Sequence, residues 1–349
     1  TMAYESEAII VREFHKFLMN DDLYCGSKPV MWSTVEKTAL AEAEVEYKEH
    51  VSPTIWVKFP VSTENENLKN SNILIWTTTP WTIPANRAIA FSSKYDYGLF
   101  EVTSVEEESL VKTGEKIIIN KSLRGNIEKA SKTKVKLIQD MENLNELVCK
   151  HPFNSQGYEF DIPLLDADFV TDDTGTGFVH VAPSHGQDDY ELASKNGIEA
   201  PFMIDDEGKY LPNVKIFSGK KVYNNDGSYG DGNGAVIKEL INCNALFAKG
   251  KLRHQYPHSW RSKAPLLFRN TPQWFISMEK NDLRAKSLSE IERVEWIPKR
   301  GKNRIKSMID NRPDWVVSRQ RAWGVPLAIF KNNKTGEILK DDAINKVIF

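Results

Sequence analysis

Three consecutive hydroxyl side chains, those of Thr77, Thr78 and Thr79, leave a run of β-branched and aromatic residues and are followed by Pro80 and Pro84. Neither proline can donate a backbone hydrogen bond, so the predicted strand ends here and leaves the hydroxyls at its tip. At such a tip the hydroxyls can bind a ligand carbonyl or a water without any shift of pKa. A threonine-rich strand end with a proline turn explains the same residues structurally, and spacing alone leaves both interpretations open.

A second segment, GTGFVHVAPSHGQDDY, predicts a strand, a tight loop and the start of a helix. The helix is expected to begin after Gly186 and to stop at Gly197. Asp188 and Asp189 then fall in its first turn, where carboxylates favour the positive helix terminus, so capping is the simple explanation. A carboxylate that is not needed for capping could instead bind an ammonium group beside His180.

Several other kinds of site are disfavoured because residues that they need are missing. His180 and His185 lack a third ligand at a suitable spacing for a metal, and we assign His185 no role. Cys25, Cys149 and Cys243 form no CxxC pair, which argues against a zinc ribbon or a disulfide scaffold. The chain contains no GxGxxG, GxSxG, Walker A or kinase signature, so dinucleotide binding, serine hydrolysis and phosphate transfer are disfavoured.

The composition is that of a folded protein. The chain has 349 residues, of which 40% are hydrophobic and 27% charged, values that exclude a disordered or collagen-like chain. This length predicts two domains, or one domain with a long insertion. No run of 18 apolar residues and no signal peptide is visible, so we expect a cytoplasmic protein or one of an organelle matrix.

Charge is distributed unevenly along the chain. Residues 251–349 contain 21 Lys and Arg against 10 Asp and Glu, whereas residues 1–250 contain 25 against 38. The basic stretch KLRHQYPHSWRSKAPLLFR and the later Trp and Arg residues could bind phosphates and stack on unpaired bases. The same residue types are frequent in packing between domains, so composition leaves both interpretations open.

The pattern of short strands predicts a β-rich body with barrel or sandwich closure. We expect an amphipathic helix over 5–20, helices over 282–294 and 302–311, and domain boundaries near 48 and 255. The strands are predicted over 55–61, 72–79, 88–91, 97–102, 116–120, 134–138 and 177–181.

Six segments spread over nearly the whole chain carry a family signature: KPV with Trp32, TALAEAEVEY, TTTPWTIPAN, GTGFVHVAPSHGQDDY, PQWFISM and SRQRAWGVP. Together they resemble the class I isoleucyl-tRNA synthetases of the bacterial or organellar type. The valyl and leucyl relatives carry Thr-Thr-Arg-Pro where this chain has TTTP. The HIGH and KMSKS signatures, with which the family activates its amino acid, are absent from this sequence.

The resemblance implies an α+β fold built around the β-barrel-like editing (CP1) domain of these synthetases. Residues 48–254 would be the editing domain, 1–47 an N-terminal flanking segment of the catalytic domain, and 255–349 a return segment toward that domain. Without HIGH and KMSKS the chain should not aminoacylate alone, and we expect it to be a piece of a longer synthetase.

The activity implied by the resemblance is hydrolysis of valyl-tRNA(Ile), in which valine is wrongly esterified to the 3′ end of isoleucine tRNA. Editing should need no cofactor or metal, because ATP and Mg serve only the aminoacylation site. The implied partners are the tRNA(Ile) acceptor end, the valine moiety and the rest of the synthetase, with no membrane. Two alternatives are a tRNA-binding or structural fragment that is inert when excised, and hydrolysis of valyl-AMP before transfer.

The resemblance also assigns roles to the reacting groups. Asp189 matches the family carboxylate that holds the α-ammonium group of the substrate. Thr77, Thr78 and Thr79 match the threonines that line the site and help to place the attacking water. An aminoacyl ester is already reactive, so a positioned water and a stabilised oxyanion should suffice without a covalent nucleophile.

Three further residues are assigned to substrate binding in the same way. His180 matches the residue whose bulk narrows the side-chain pocket, so that valine fits and isoleucine does not. Asn86 matches a family position whose loss is linked to weakened editing. Trp76 is placed where it could form a wall of the adenosine pocket.

Overall fold

The computed structural model describes residues 3–348, which divide into two compact units. Unit 1 combines the described residues up to Ser27 with those from Thr271 onward, and unit 2 is Lys28–Asn270. Residues 1, 2 and 349, at the ends of the two predicted flanking segments, lie outside the described residues.

The fold is of the α+β class, as predicted. The helices are α1 (Tyr4–Met19), α2 (Arg124–Ser131), α3 (Gln187–Lys195), α4 (Gly232–Asn242), α5 (Leu283–Arg293), α6 (Arg300–Asp310) and α7 (Asp342–Ile348). The strands are β1 (Leu23–Ser33), β2 (Thr38–Ala39), β3 (Val45–Pro60), β4 (Ser71–Thr77), β5 (Ala88–Phe91), β6 (Tyr97–Val105), β7 (Lys116–Asn120), β8 (Thr133–Met141), β9 (Val148–Lys150), β10 (Asp161–Asp166), β11 (Val179–Val181), β12 (Leu246–Ser259), β13 (Leu267–Ile276) and β14 (Trp315–Val316).

Six strands of unit 2 close into a barrel. The order is β3-β4-β11-β5-β10-β9, and a bridge between Val61 and Cys149 connects β9 back to the end of β3. The N–H of Ser62 donates to the carbonyl of Val148 at 2.8 Å beside this bridge. The prediction of barrel or sandwich closure is therefore resolved in favour of a barrel.

Strand β4 carries a second group of strands on the edge that it shares with β11. Its first residues, Ser71 to Ile73, pair in parallel with β7, and β6 and β8 follow in the same sheet. The last residues of β4 pair with β11, where Val179 lies opposite Trp76. The extra strands enclose a core of fully buried residues that includes Leu74, Phe100 and Ile117.

The predicted boundaries at 48 and 255 both fall within one long strand pair. Antiparallel pairing of β3 with β12 is continuous from Val45 opposite Ser259 to Ala248 opposite Trp56, and a bulge precedes the last pair, Leu246 opposite Val57. Unit 2, Lys28–Asn270, extends beyond this ribbon at both ends. The predicted boundaries rest on changes in composition along the chain, and such changes carry no information about the pairing of β3 with β12, whose residues are about 200 positions apart.

A small apolar core fixes helix α3 to the barrel. Ala88, Ala90 and Val181 on β5 and β11 form a buried cluster against which Leu192 of α3 and Ile198 pack. The helix begins after Gly186 and ends before Gly197, which has a φ of +70°, as the sequence predicted.

Unit 1 has a separate core. Leu18 on α1 packs with Leu23 and Ile276, and Phe14 and Trp274 cover this cluster. Packing therefore accounts for Trp274, one of the tryptophans for which the sequence left nucleic-acid binding open. None of the helices in residues 3–348 combines the length and the apolar character that a membrane span needs.

The four-stranded sheet that remains has the order β14-β13-β1-β2. The sequence did not predict β1, β12 or β13 as strands. Strand β12 alternates charged and half-buried residues, such as Lys251, Leu252 and Arg253. In the sequence alone this pattern indicates a basic surface and hides the strand.

Candidate functional site

The parallel pairing of β4 and β11 brings the two predicted segments to one end of the barrel. Val179 lies opposite Trp76, so the residues that follow each of them, His180 and Thr77, lie at neighbouring positions toward the C-terminal ends of the two strands. Carboxyl ends of parallel strands meet at a common edge, where loops can converge on a ligand.

The threonines form a connected row at this edge. The N–H of Thr79 donates to Oγ1 of Thr77 at 3.1 Å, and the two Oγ1 atoms are 3.2 Å apart. Oγ1 of Thr79 lies 3.3 Å from Oγ1 of Thr82, which is in the 3₁₀ turn Pro80–Ala85. The half-buried Thr78 makes no side-chain hydrogen bond to any residue in 3–348, so its hydroxyl remains available.

His180 joins this row to the other segment. Its Nε2 lies 2.9 Å from Oγ1 of Thr82, and its Nδ1 lies 2.7 Å from Nδ2 of Asn86. Nδ2 of Asn86 also donates to the carbonyl of Ala88 at 2.9 Å. An amide nitrogen can only donate, so Nδ1 of His180 accepts and its proton resides on Nε2.

This tautomer orients the hydroxyls that follow. Nε2–H of His180 donates to Oγ1 of Thr82, whose own proton goes to the carbonyl of Thr79 at 2.8 Å. The Thr79 hydroxyl is then the donor to Thr82, and Thr77 the donor to Thr79. Thr77 and Thr79 each keep one lone pair that can accept a hydrogen bond from a ligand.

His180 is neutral in this environment. Its side chain is 6% exposed, and burial, with the nearby His185 as a smaller cause, lowers its pKa to about 3. A ring that is held by two hydrogen bonds and stays uncharged acts as a fixed wall and does not exchange protons at neutral pH.

Asp189 uses its carboxylate to bond the chain before its helix. Its Oδ2 accepts a hydrogen bond of 2.9 Å from the N–H of Ala182, just beyond the end of β11. The carboxylate lies against Gly186, the N-cap residue of α3, where a Cβ would be 2.8 Å from Oδ2. The glycine therefore makes room for the carboxylate.

The environment of Asp189 opposes its charge. Burial raises the pKa of this carboxyl to about 6, although the hydrogen bond from Ala182 acts in the opposite direction. The neighbouring Asp188 is exposed and adds a further small increase. Asp189 is therefore a largely desolvated acid that an incoming cation would stabilise in its ionised form.

The two remaining predicted residues lie beside this network. Asn86 is fully buried, and its Oδ1 has no hydrogen-bond partner in the described part of the chain. The ring of Trp76 packs against that of Trp56 with 6.3 Å between their centroids. The buried Nε1 of Trp76 likewise has no hydrogen-bond partner in the described part of the chain. Asn86 therefore bonds His180 directly, whereas the indole nitrogen of Trp76 takes no part in the hydrogen bonds of His180.

Sequence reasoning missed three residues. Thr82 connects His180 to the threonines, and its position three residues after Thr79 in a short turn was the available signal. Arg87 stacks 4.6 Å from the ring centre of Phe160 and donates to the carbonyl of Asn86 at 2.6 Å, which fixes the turn. The third is His185, whose ring packs edge-on against Trp81 at 4.5 Å.

No group of three or more His, Cys, Asp or Glu side chains within residues 3–348 is arranged to hold a metal ion. The nitrogens of His180 are engaged by Thr82 and Asn86. The arrangement at this end of the barrel is instead one of hydroxyls, a neutral imidazole and a desolvated carboxylate. It can bind an amine, exclude a large side chain and hold a water.

A family model and the sequence relatives of this chain point to the same family. The family model described as class I tRNA synthetases (I, L, M and V) matches residues 1–348. The isoleucine–tRNA ligase of Rhodopseudomonas palustris is 50% identical over 376 residues, covering 100% of this chain and 37% of the relative. That of Bradyrhizobium diazoefficiens is 48% identical and covers 100% of this chain and 38% of the relative.

The chain thus spans a little over a third of the length of these relatives. Among solved structures, the editing domain of the P. knowlesi cytosolic leucyl-tRNA synthetase matches with 12% identity and a TM-score of 0.41, covering 60% of this chain and 100% of that one.

Proposed function

The chain belongs to the class I tRNA synthetases (I, L, M and V), and on this premise we propose that it hydrolyses valyl-tRNA(Ile). One observation carries the proposal: the 2.9 Å contact between Thr82 and His180, which are 98 residues apart, joins the threonine row to strand β11. The hydroxyls and the wall that such a reaction needs thereby belong to one hydrogen-bonded network, and Asp189 is bonded to Ala182, two residues beyond His180.

Asp189 is proposed to bind the α-ammonium group of the substrate. A carboxylate whose pKa is raised to about 6 by burial gains most from a cation that enters the same desolvated site. The hydrogen bond from the N–H of Ala182 fixes one carboxylate oxygen and leaves the other for the ammonium group.

His180 is proposed to exclude isoleucine by size. A methylene group is worth only about 1–3 kcal/mol in a binding pocket, a general value for which the choice between isoleucine and valine in this very family is the standard example. A second site must therefore reject the larger side chain sterically. Bonds from Asn86 and to Thr82 hold the ring of His180 in one orientation, which suits that role.

The threonines are proposed to position the attacking water and to stabilise the oxyanion. The free lone pairs of Thr77 and Thr79 accept hydrogens of the attacking water, and the uncommitted hydroxyl of Thr78 donates to the developing oxyanion. Water adds to the ester carbonyl carbon, and the bond from that carbon to the ribose oxygen that carries the ester then breaks. The ribose oxygen takes one proton of the water, and the acid formed releases the other as valine leaves.

In this proposal the reaction uses neither a metal nor a cofactor, and ATP and Mg belong to an aminoacylation site whose motifs this sequence lacks. The partners are the acceptor end of tRNA(Ile) and the rest of a longer synthetase chain, in the cytoplasm or an organelle matrix. The excess of 21 basic over 10 acidic residues in 251–349 is consistent with contact to a polyanion.

The test is deacylation of valyl-tRNA(Ile) by the 349-residue chain, with isoleucyl-tRNA(Ile) as the control substrate. We expect loss of the valyl ester at a rate well above buffer and little loss of the isoleucyl ester. The Asp189→Ala variant should lose the activity. If the wild-type chain gives no acceleration, the proposal is wrong and a structural or tRNA-binding role is favoured. Breakdown of valyl-AMP alone would indicate hydrolysis before transfer.

A further inference from the structure

His185 presents a buried acceptor without a partner. Its Nδ1 lies 2.8 Å from the carbonyl oxygen of Phe268. A carbonyl can only accept, so Nδ1 carries the proton and Nε2 is a bare lone pair. This Nε2 is buried and has no hydrogen-bond partner among residues 3–348. Buried acceptors are almost always satisfied, so one left open at a strand-to-helix loop calls for an explanation.

The position of His185 ties it to the network described above. Its N–H donates to the carbonyl of Ala182 at 2.8 Å, and the N–H of the same Ala182 donates to Asp189. Its ring packs edge-on against Trp81, which lies in the turn between Thr79 and Thr82. The side chain therefore touches both segments of the site.

Of the two neighbouring histidines, His180 and His185, only His185 has a ring nitrogen without a hydrogen-bond partner in residues 3–348. Both nitrogens of His180 are used, by Thr82 and by Asn86. His185 is the charged or titratable group that influences His180, and Arg87 is the one that influences His185. Burial, with the charge of Arg87 as a smaller cause, lowers the pKa of His185 to about 4 although its hydrogen bond to Phe268 acts in the opposite direction. At neutral pH the ring is thus an uncharged acceptor.

We infer that Nε2 of His185 accepts a hydrogen bond from an O–H group that is present only when the substrate is bound. This inference rests on the proposed function and deepens it. The donor is either the attacking water or the free hydroxyl of the terminal ribose, since both carry the same O–H chemistry. Substrate binding would then give Nε2 the partner that residues 3–348 do not supply.

Two substitutions separate this role from a structural one. In His185→Asn the amide nitrogen replaces Nδ1 and keeps the bond to the Phe268 carbonyl, but the Nε2 acceptor is gone. In His185→Gln the amide oxygen reaches the place of Nε2, whereas the bond to Phe268 is lost. The two variants are therefore matched controls for each other, and thermal melting of both checks that they fold.

The measurement is kcat and KM for deacylation of valyl-tRNA(Ile) by the wild-type chain and both variants. We expect His185→Asn to lose about tenfold in kcat/KM, the size of one neutral hydrogen bond, and His185→Gln to keep most of the activity. The opposite order, or equal values for the two variants, would overturn the inference while leaving the proposed function standing. If the wild-type chain itself gives no acceleration over buffer, both are wrong.

A substrate whose terminal ribose lacks the hydroxyl next to the ester identifies the donor. If the ribose hydroxyl donates to Nε2, the defect of His185→Asn disappears on this substrate, because the partner has been removed already. If the water donates, the defect persists and appears in kcat.

Discussion

Replacing Asp189 by asparagine should make the protein more stable at neutral pH while removing its proposed activity. The pKa of this carboxyl is raised from 3.8 to about 6, chiefly by burial. Each pKa unit corresponds to about 1.4 kcal/mol, so ionisation of Asp189 in the folded state costs at most about 3 kcal/mol. In Asp189→Asn the side-chain amide would keep an oxygen for the N–H of Ala182 and would carry no charge.

The raised pKa of Asp189 also determines how the free energy of unfolding changes with pH. Between pH 4 and pH 6 the unfolded chain has already released the proton that folded Asp189 still holds. The wild type therefore loses stability as pH rises through this window, and the contribution is present in full only at low pH. The variant lacks this loss, so the difference between the two proteins should grow from near zero at pH 4 to about 3 kcal/mol at pH 8.

Urea unfolding at pH 4 and pH 8 measures this difference. The matched control is Asp188→Asn, one residue earlier in the same turn of α3 and exposed to solvent. It should leave stability nearly unchanged or lower it by about 0.3–1 kcal/mol, through the lost interaction with the helix terminus. A variant at Asp189 that is less stable than the wild type at pH 8, or whose effect is the same at both pH values, would refute the reasoning.

Four further outcomes are expected. His180→Ala should allow the chain to deacylate isoleucyl-tRNA(Ile), and continued sparing of that ester would remove the size-exclusion role. Asn86→Ala should lower the free energy of unfolding by about 1–3 kcal/mol, because it leaves the Ala88 carbonyl and a His180 nitrogen unpaired, and should also reduce the ratio of valyl to isoleucyl deacylation rates. Thr82→Val keeps the shape but removes the acceptor of His180, so the same ratio should fall, and Thr82→Ser should restore it; equal ratios in both variants would contradict the network. KM for valyl-tRNA(Ile) should rise as pH falls below about 6, when Asp189 takes up a proton, whereas a flat profile down to pH 5 would disconnect that carboxyl from binding.

Local signals in the sequence predicted those helices and strands whose limits are set by neighbouring residues. The start of α3 after Gly186 and its end before Gly197 were predictable because the residues that stop or start a helix act within one turn. Strand β4 was predictable from its β-branched run before Pro80. These features depend on neighbours in the chain.

Pairings between distant residues were not predictable in the same way. The ribbon of β3 and β12 joins residues about 200 apart, and its half-polar faces hide the strand pattern of β12. The contact between Thr82 and His180 also depends on the register of β4 against β11. The family resemblance indicated Asp189 and His180, but it gave neither the tautomer of the ring nor the open acceptor of His185.

The pairing of Val45 with Ser259 places the two points where the chain enters and leaves the barrel on adjacent strands. A host protein therefore needs only one gap, as wide as a single pair of neighbouring strands, to accommodate everything between these residues. Contacts from Trp32 to Asp206, from Phe268 to His185 and from Asn270 to Ser184 lie outside this strand pair, so a piece moved into another host would have to keep Lys28–Asn270 together.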